Sequence, residues 1–360
     1  MANKFSYGTL AKGTFFTDRK NELVRMKQFL DSENHLVLIS PRRYGKSSLV
    51  KKCVEEVGRP YIWLDMQYVV SVASFTTQLL KAILAQYPLE RLRYELRHFR
   101  IMPTITLNPM TNECQFGFQP SEAADNTILE DVMALLQKLS TQEKKLIIIF
   151  DEFQEVLKIG KGLDKQLRSI IQLQSGLNYI FMGSQEGMML EIFERKKSPF
   201  YHFGGLMRLS KIPYDDFYQF VLERLPEVPD KEGVTCEILT FSSCHPYYTQ
   251  QLAFEVSNQI EINTLQENVV TSAIQAILQA HDLNYERLWE NFNNTDKGTL
   301  LQLSNRENPL NNKAIASSTA FSSLKRLVKS GVVIRTNEYI LEDPFFCEWL
   351  RMKQNPTRIS

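Results

Sequence analysis

The nine residues SPRRYGKSS, positions 40–48, decide the reading of this chain. They follow HLVLIS at residues 35–40, a short apolar run bounded by turn residues, which suits a strand buried on both faces. A helix begins at Lys46. Its apolar positions Leu49, Val50, Cys53, Val54 and Val57 recur at helical spacing, and Gly58 can cap its end. A second buried strand over residues 61–65 completes a strand–loop–helix–strand unit, with a right-handed crossover expected.

The loop is close to the pattern G-x-x-x-x-G-K-[ST]. Seven of its eight positions agree, and Ser40 stands where the first glycine is expected. The chemistry explains the spacing. Backbone N–H groups of a loop and a helix N-terminus form an anion cradle. Ser40, Pro41, Arg42, Arg43, Tyr44, Gly45, Lys46, Ser47 and Ser48 are therefore the candidate nucleotide-binding residues. Gly45 lets the backbone approach closely, Lys46 can reach the β- and γ-phosphates, and the Ser47 hydroxyl can ligate Mg²⁺. Serine at position 40 fits as long as its φ stays negative. A chance G-K-S in a basic loop is the alternative, and the strand before and helix after argue against it.

The most apolar strand, LIIIF at residues 146–150, runs straight into Asp151 and Glu152. An apolar strand ending in two carboxylates is the Walker B arrangement. Asp151 would hold Mg²⁺, and Glu152 would orient and polarise the attacking water. A third buried strand, NYIFMG at residues 178–183, ends in Ser184, whose hydroxyl can touch the γ-phosphate or the lytic water. A turn-forming serine after glycine is the plainer account of it. No N-K-x-D guanine-reading motif is found, which favours ATP over GTP; NTDK at 294–297 does not match it.

Strands alternating with helices argue an α/β fold, a P-loop NTPase parallel sheet covered on both faces. Helices are expected at about 74–86, 90–99, 126–139 and 163–174. A hairpin insertion at about 100–120 pairs 104–107 with 115–118 around 108–112. After about residue 210 the pattern turns helical, with candidates at 214–225, 231–242, 247–259 and 265–280. From residue 299, short helices lead into 321–329, ended by Gly331, and then a hairpin of 332–335 with 338–341. Three helices and a two-stranded wing make a winged helix. The expected domains are thus a core at 1–210, a helical lid at 211–298 and a winged helix at 299–360.

Four segments carry a family resemblance: FTDR with Glu22 and Leu23 at 16–23, the SPRRYGKSS loop, FDEFQEV at 150–156 followed by the MGS of 182–184, and HPYY at 245–248. They resemble the archaeal-type ATPase family, AAA+-related P-loop ATPases of the STAND group. Cys244 replaces the glycine of that family's G-H-P-Y-Y. The resemblance covers nearly the whole chain, ending at DPF, 343–345. It implies that Phe16 and Arg19 lie near the adenine and that Pro246 and Tyr247 close over the nucleotide. Read from the residues alone, HPYY is a helix start with proline at the first position and aromatics in a core. Many relatives carry an S-P-L-Y-G-R segment. Here it reads SPFYHF, so its arginine is missing, and Arg195 or Arg208 would have to serve as the finger. Some relatives continue into a nuclease-like domain, which is not expected here.

Composition bounds the rest. The formal net charge is +1, so no global basic field holds nucleic acid or an anionic membrane. Five cysteines without a C-x-x-C pair indicate neither a zinc ribbon nor a disulfide framework, and suit a cytoplasmic protein. No apolar run approaches the roughly 18 residues of a membrane span. Residues 311–340 hold Lys313, Lys325, Arg326, Lys329 and Arg335 against one acid, Glu338. Lys325, Arg326 and Lys329 could contact duplex DNA, although a winged helix also serves for protein docking and a short charge cluster is usually a solvated face. The leading expectation is a slow Mg²⁺-dependent ATPase acting as a switch, with nucleotide closing the lid and moving the winged helix against a partner. The alternative is a nucleotide-dependent DNA-binding or protein-docking module without significant hydrolysis.

Overall fold

The computed structural model describes residues 3–17, 19–97, 99–100, 104–107, 114–117, 122–160, 162–262, 268–311 and 316–354. The chain divides into two compact units. One comprises residues 20–40 and 49–209; the other comprises residues 1–19, 41–48 and 210–360.

The first unit is the sheet. In chain order it contains α1 (Lys20–Asp31), β1 (Leu36–Ile39), the body of α2 (Lys46–Val57), β2 (Tyr61–Asp65), α3 (Val72–Gln86), α4 (Leu89–Leu96), β3 (Thr104–Leu107), β4 (Cys114–Gly117), α5 (Glu122–Leu139), β5 (Leu146–Asp151), α6 (Leu163–Ile171), β6 (Leu177–Gly183), α7 (Glu186–Phe193) and β7 (Gly205–Arg208). Five strands form one sheet in the order β2-β5-β6-β1-β7, with every pairing parallel. β3 and β4 pair antiparallel as a separate hairpin, and its expected tip at 108–112 lies outside the described residues.

Sequence and burial agree strand by strand. All four residues of β1, all seven of β6 and the first five of β5 are buried, as strands covered on both faces require. Phe150, Phe153, Phe181, Phe193 and Phe200 pack into one aromatic cluster, with the Phe153 and Phe181 rings 4.7 Å apart. Each such side chain contributes about 2–3 kcal/mol by leaving water. Register aligns the carboxyl ends. Ile39 stands opposite Gly183 and Arg208, Phe150 opposite Phe181, and Asp65 opposite Asp151. Ser40, Asp151 and Ser184 therefore leave the sheet at the edge where open α/β sheets take ligands.

β7 was not expected from sequence. GLMR is too short to alternate, yet it adds beside β1 because Gly205 lets the backbone pass Phe29. A Cβ there would lie 2.1 Å from the Phe29 ring.

The second unit is mostly helical: α8 (Tyr214–Arg224), α9 (Lys231–Ser242), α10 (Pro246–Ile262), α11 (Val269–Glu290), α12 (Asn294–Ser304), α13 (Ser317–Ser330), the hairpin β8 (Val333–Arg335) and β9 (Tyr339–Leu341), and α14 (Pro344–Gln354). α11 runs ten residues beyond the expected end at 280. Gly331 closes α13 in the left-handed region, φ +78°. Asp343 caps α14, its Oδ1 accepting from the N–H of Phe345 (2.8 Å) and Phe346 (3.1 Å). The N-terminal segment belongs to this unit, with Phe5 buried against Phe220. Among the described residues, no helix is long and apolar enough to cross a membrane.

Candidate functional site

Ser40 is fully buried, and its N–H donates to Gly183 O at 3.4 Å. Its φ is negative, so the missing glycine costs no backbone strain. The left-handed positions of the loop are Arg43 (φ +66°) and Gly45 (φ +85°). Among the described residues nothing lies within 4 Å of a Cβ built on Gly45, so glycine is needed there for its dihedral rather than for space. Lys46 is buried and donates to Pro41 O at 3.1 Å. Ser48 Oγ accepts from Ala11 N–H at 3.0 Å. Ser47 lies in the first turn of α2, and Arg42 is exposed.

The loop is bonded to the HPYY segment within the second unit. Arg43 donates to the Tyr248 hydroxyl at 3.0 Å, and its guanidinium lies 4.5 Å over the Tyr247 ring. The Tyr44 ring meets His245 edge-on at 4.8 Å. Tyr248 Oη donates onward to Glu342 Oε2 at 3.1 Å, and His245 Nε2 bonds Glu342 Oε1 at 2.9 Å. His245 Nδ1 accepts from the N–H of Tyr247 (3.2 Å) and Tyr248 (3.4 Å), which caps α10. The ring proton therefore sits on Nε2 and is donated to Glu342. Burial holds the His245 pKa below the usual histidine value, although the bond to Glu342 opposes it. Pro246 is the first residue of α10 and Tyr248 is buried in the core.

The entry-box residues are also in this unit. Arg19 is buried and donates to Ser210 O (2.8 Å) and Tyr44 O (3.3 Å), bracing the loop from behind. Phe16 is half-buried at the end of a single 3₁₀ turn.

The acidic strand end lies in the sheet unit. Asp151 ends β5, and its Oδ1 accepts from Glu152 N–H at 3.0 Å. Glu152 is held in the left-handed region at φ +50°, ψ +45°, a strained conformation for a residue with a Cβ and one that concentrates at functional sites. Its Oε2 accepts from Ser184 Oγ at 2.6 Å, from Ser184 N–H at 3.2 Å and from Gln154 Nε2 at 2.5 Å. Gln154 is 1% exposed, and among the described residues its Oε1 has no hydrogen-bond partner. Leaving a buried carbonyl oxygen unpaired costs about 1–3 kcal/mol.

The structure thus brings Glu152 and Ser184 together, and it joins Arg43 and Tyr44 to the Pro246–Tyr247 helix start. Arg195 makes a surface ion pair with Glu191 at 2.6 Å, and Arg208 is exposed at the end of β7. Arg326 is committed to Asp296 (2.7 Å), which also accepts from Ser323 and Asn293. Lys313 lies outside the described residues. Two residues were missed by sequence reasoning. Gln154 sat inside the quoted FDEFQ, and Glu342 immediately precedes the DPF at 343–345.

No curated protein matches the chain. A Walker-type ATPase of Pyrococcus abyssi is similar in structure, with a TM-score of 0.65 at 18% identity over 95% of this chain and 97% of that one. The ORC2 protein of Aeropyrum pernix, in ADPNP–ADP complexes, gives 0.55 at 14% identity over 99% and 100%. Both likenesses concern the fold. A model of the ATPase domain found predominantly in Archaea matches residues 16–232, more than half of the chain. With its P-loop sheet, this chain belongs to that family.

Proposed function

We propose that the chain binds ATP with Mg²⁺, hydrolyses it slowly to ADP and phosphate, and uses nucleotide occupancy as a switch. Family membership supports adenine-nucleotide binding, and the negative φ at Ser40 removes the main objection to the loop. Lys46 and the loop N–H groups would neutralise the phosphates. Ser47 and Asp151 offer a hydroxyl and a carboxylate, hard oxygen donors of the kind Mg²⁺ takes, and the ion would offset phosphate charge. Glu152 would polarise the attacking water, with Ser184 beside it. Phe16, Arg19, Pro246 and Tyr247 are the candidates to enclose the base, Arg19 by bracing the loop.

The observation that carries the switch is the chain of bonds from Arg43 through Tyr248 to Glu342 and His245. A phosphate oxygen is a stronger acceptor for a guanidinium than a phenol is. Phosphate at the loop therefore competes with Tyr248 for Arg43. Losing that bond loosens the tie on Glu342, which joins the β8–β9 hairpin to α14 in what we read as a winged helix. Amide exchange at residues 342–346 tests this. ATP should speed exchange there in the wild type and have little effect in Tyr248→Phe; equal ATP effects in both would sink the switch. Turnover is tested by Glu152→Gln, which should keep ATP binding and cut phosphate release to a small, measurable residual rate.

A second reading, a docking module without significant hydrolysis, is favoured by the outer face of α13. Phe321 and Val328 are exposed there at 44% and 37%, beside Lys325 and Lys329. With Arg326 held by Asp296, that face suits an apolar–acidic protein surface better than duplex DNA. A salt-sensitive shift of duplex DNA that Lys325→Ala abolishes would reverse this preference.

A further inference from the structure

We propose that Gln154 is a positioning residue for hydrolysis, and that it and Ser184 pin one oxygen of Glu152 so that the other, Oε1, is the base. This rests on the reading of Glu152 as the water-polarising carboxylate.

The donors are unevenly shared. All three, Gln154 Nε2, Ser184 Oγ and Ser184 N–H, converge on Oε2. Among the described residues, Oε1 receives none. A carboxylate oxygen with three donors has little capacity left to accept another proton, whereas Oε1 keeps its lone pairs. The backbone supports the same orientation, because the left-handed φ of Glu152 and its N–H bond to Asp151 Oδ1 fix where the side chain starts. When water attacks the γ-phosphorus, a new P–O bond forms, the bond from that phosphorus to the β–γ bridging oxygen breaks, the oxygen leaves on ADP with the electron pair, and the water proton passes to Oε1.

Gln154 is held in this pose against the interest of stability. Its Oε1 is buried, has no partner among the described residues, and lies against Gly183, 2.5 Å from where a Cβ would be. Turning the amide over would set that oxygen against the Glu152 carboxylate, so the charge dictates which end faces Glu152. Met189 also crowds Gly183, which closes the pocket around the amide. An apolar residue of the same length would fill this space without an orphaned oxygen. A glutamine kept only for packing has no such reason to be there.

That contrast gives the test. In Gln154→Met, ATP affinity and melting temperature should stay at or above the wild-type values, while the rate of phosphate release falls about 10- to 100-fold, the scale of a misaligned reacting group. Ser184→Ala should lower the rate in the same way. In a Glu152→Gln background, Gln154→Met should cause no further loss, because its effect runs through Glu152. An unchanged rate in Gln154→Met would overturn the proposal, and so would a loss that persists in the Glu152→Gln background or tracks a fall in melting temperature. A wild type that binds ATP without any turnover would refute the hydrolysis reading itself, before any variant is compared, and this role with it.

Discussion

Replacing Glu342 by alanine should destabilise the second unit by about 3 kcal/mol. The carboxylate accepts from His245 Nε2 at 2.9 Å and from Tyr248 Oη at 3.1 Å. Both donors are buried, His245 at 1% and Tyr248 at 2% exposed, so water cannot replace the lost acceptor. Each stranded donor costs about 1–3 kcal/mol. Relief from removing a largely buried charge offsets part of that. Glu342→Gln keeps one acceptor oxygen and should cost less, about 1–2 kcal/mol. Urea unfolding followed by tryptophan fluorescence measures this in a Trp63→Phe background, where Trp289 and Trp349 both report on the second unit. A loss below about 0.5 kcal/mol for the alanine variant, well under one stranded donor, would refute the buried network. A larger loss for glutamine than for alanine would refute it too.

Two further outcomes follow from the backbone and from burial. Cys244 sits at φ +55°, so Cys244→Gly should raise the urea midpoint, by about 1 kcal/mol of left-handed strain removed; a lower midpoint would mean that the thiol packs more favourably than the strain costs. Burial, aided by Arg168, lowers His35 from 6.5 to about 4. The unfolded chain therefore binds this proton first. The stability due to neutral His35 is complete above pH 6.5 and is lost as the pH falls towards 4, on the order of 3 kcal/mol in all. His35→Leu should flatten that slope in the sheet unit, and an unchanged slope would assign it elsewhere.

The sheet was legible because its signals are local. LVLI at 36–39, LIIIF and NYIFMG are buried on both faces and cannot be mistaken for amphipathic segments, and the glycine-lysine-serine turn follows the first of them. The 40–48 turn before α2 and the two carboxylates that end β5 were legible as local structure for the same reason. β7 was not, since its partner β1 lies far away in sequence and a glycine–phenylalanine contact decides its place. The His245–Glu342 bond spans 97 residues, and no periodicity predicts such a pairing. Ser40 looked like a defect until its φ showed that glycine was not required, whereas the other departure, Cys244, does occupy a left-handed position. Arg326 looked like part of a basic patch because Asp296, thirty residues earlier, is out of view of any local charge count.

Everything proposed for this chain depends on the loop at residues 40–48 holding ATP. Isothermal titration of the purified chain with ATP, ADP and GTP in Mg²⁺, beside Lys46→Ala, tests it most directly. ATP and ADP should bind, GTP should bind more weakly or not at all, and Lys46→Ala should abolish binding. Adenine-nucleotide binding of equal strength in wild type and Lys46→Ala, or none in the wild type, would contradict it.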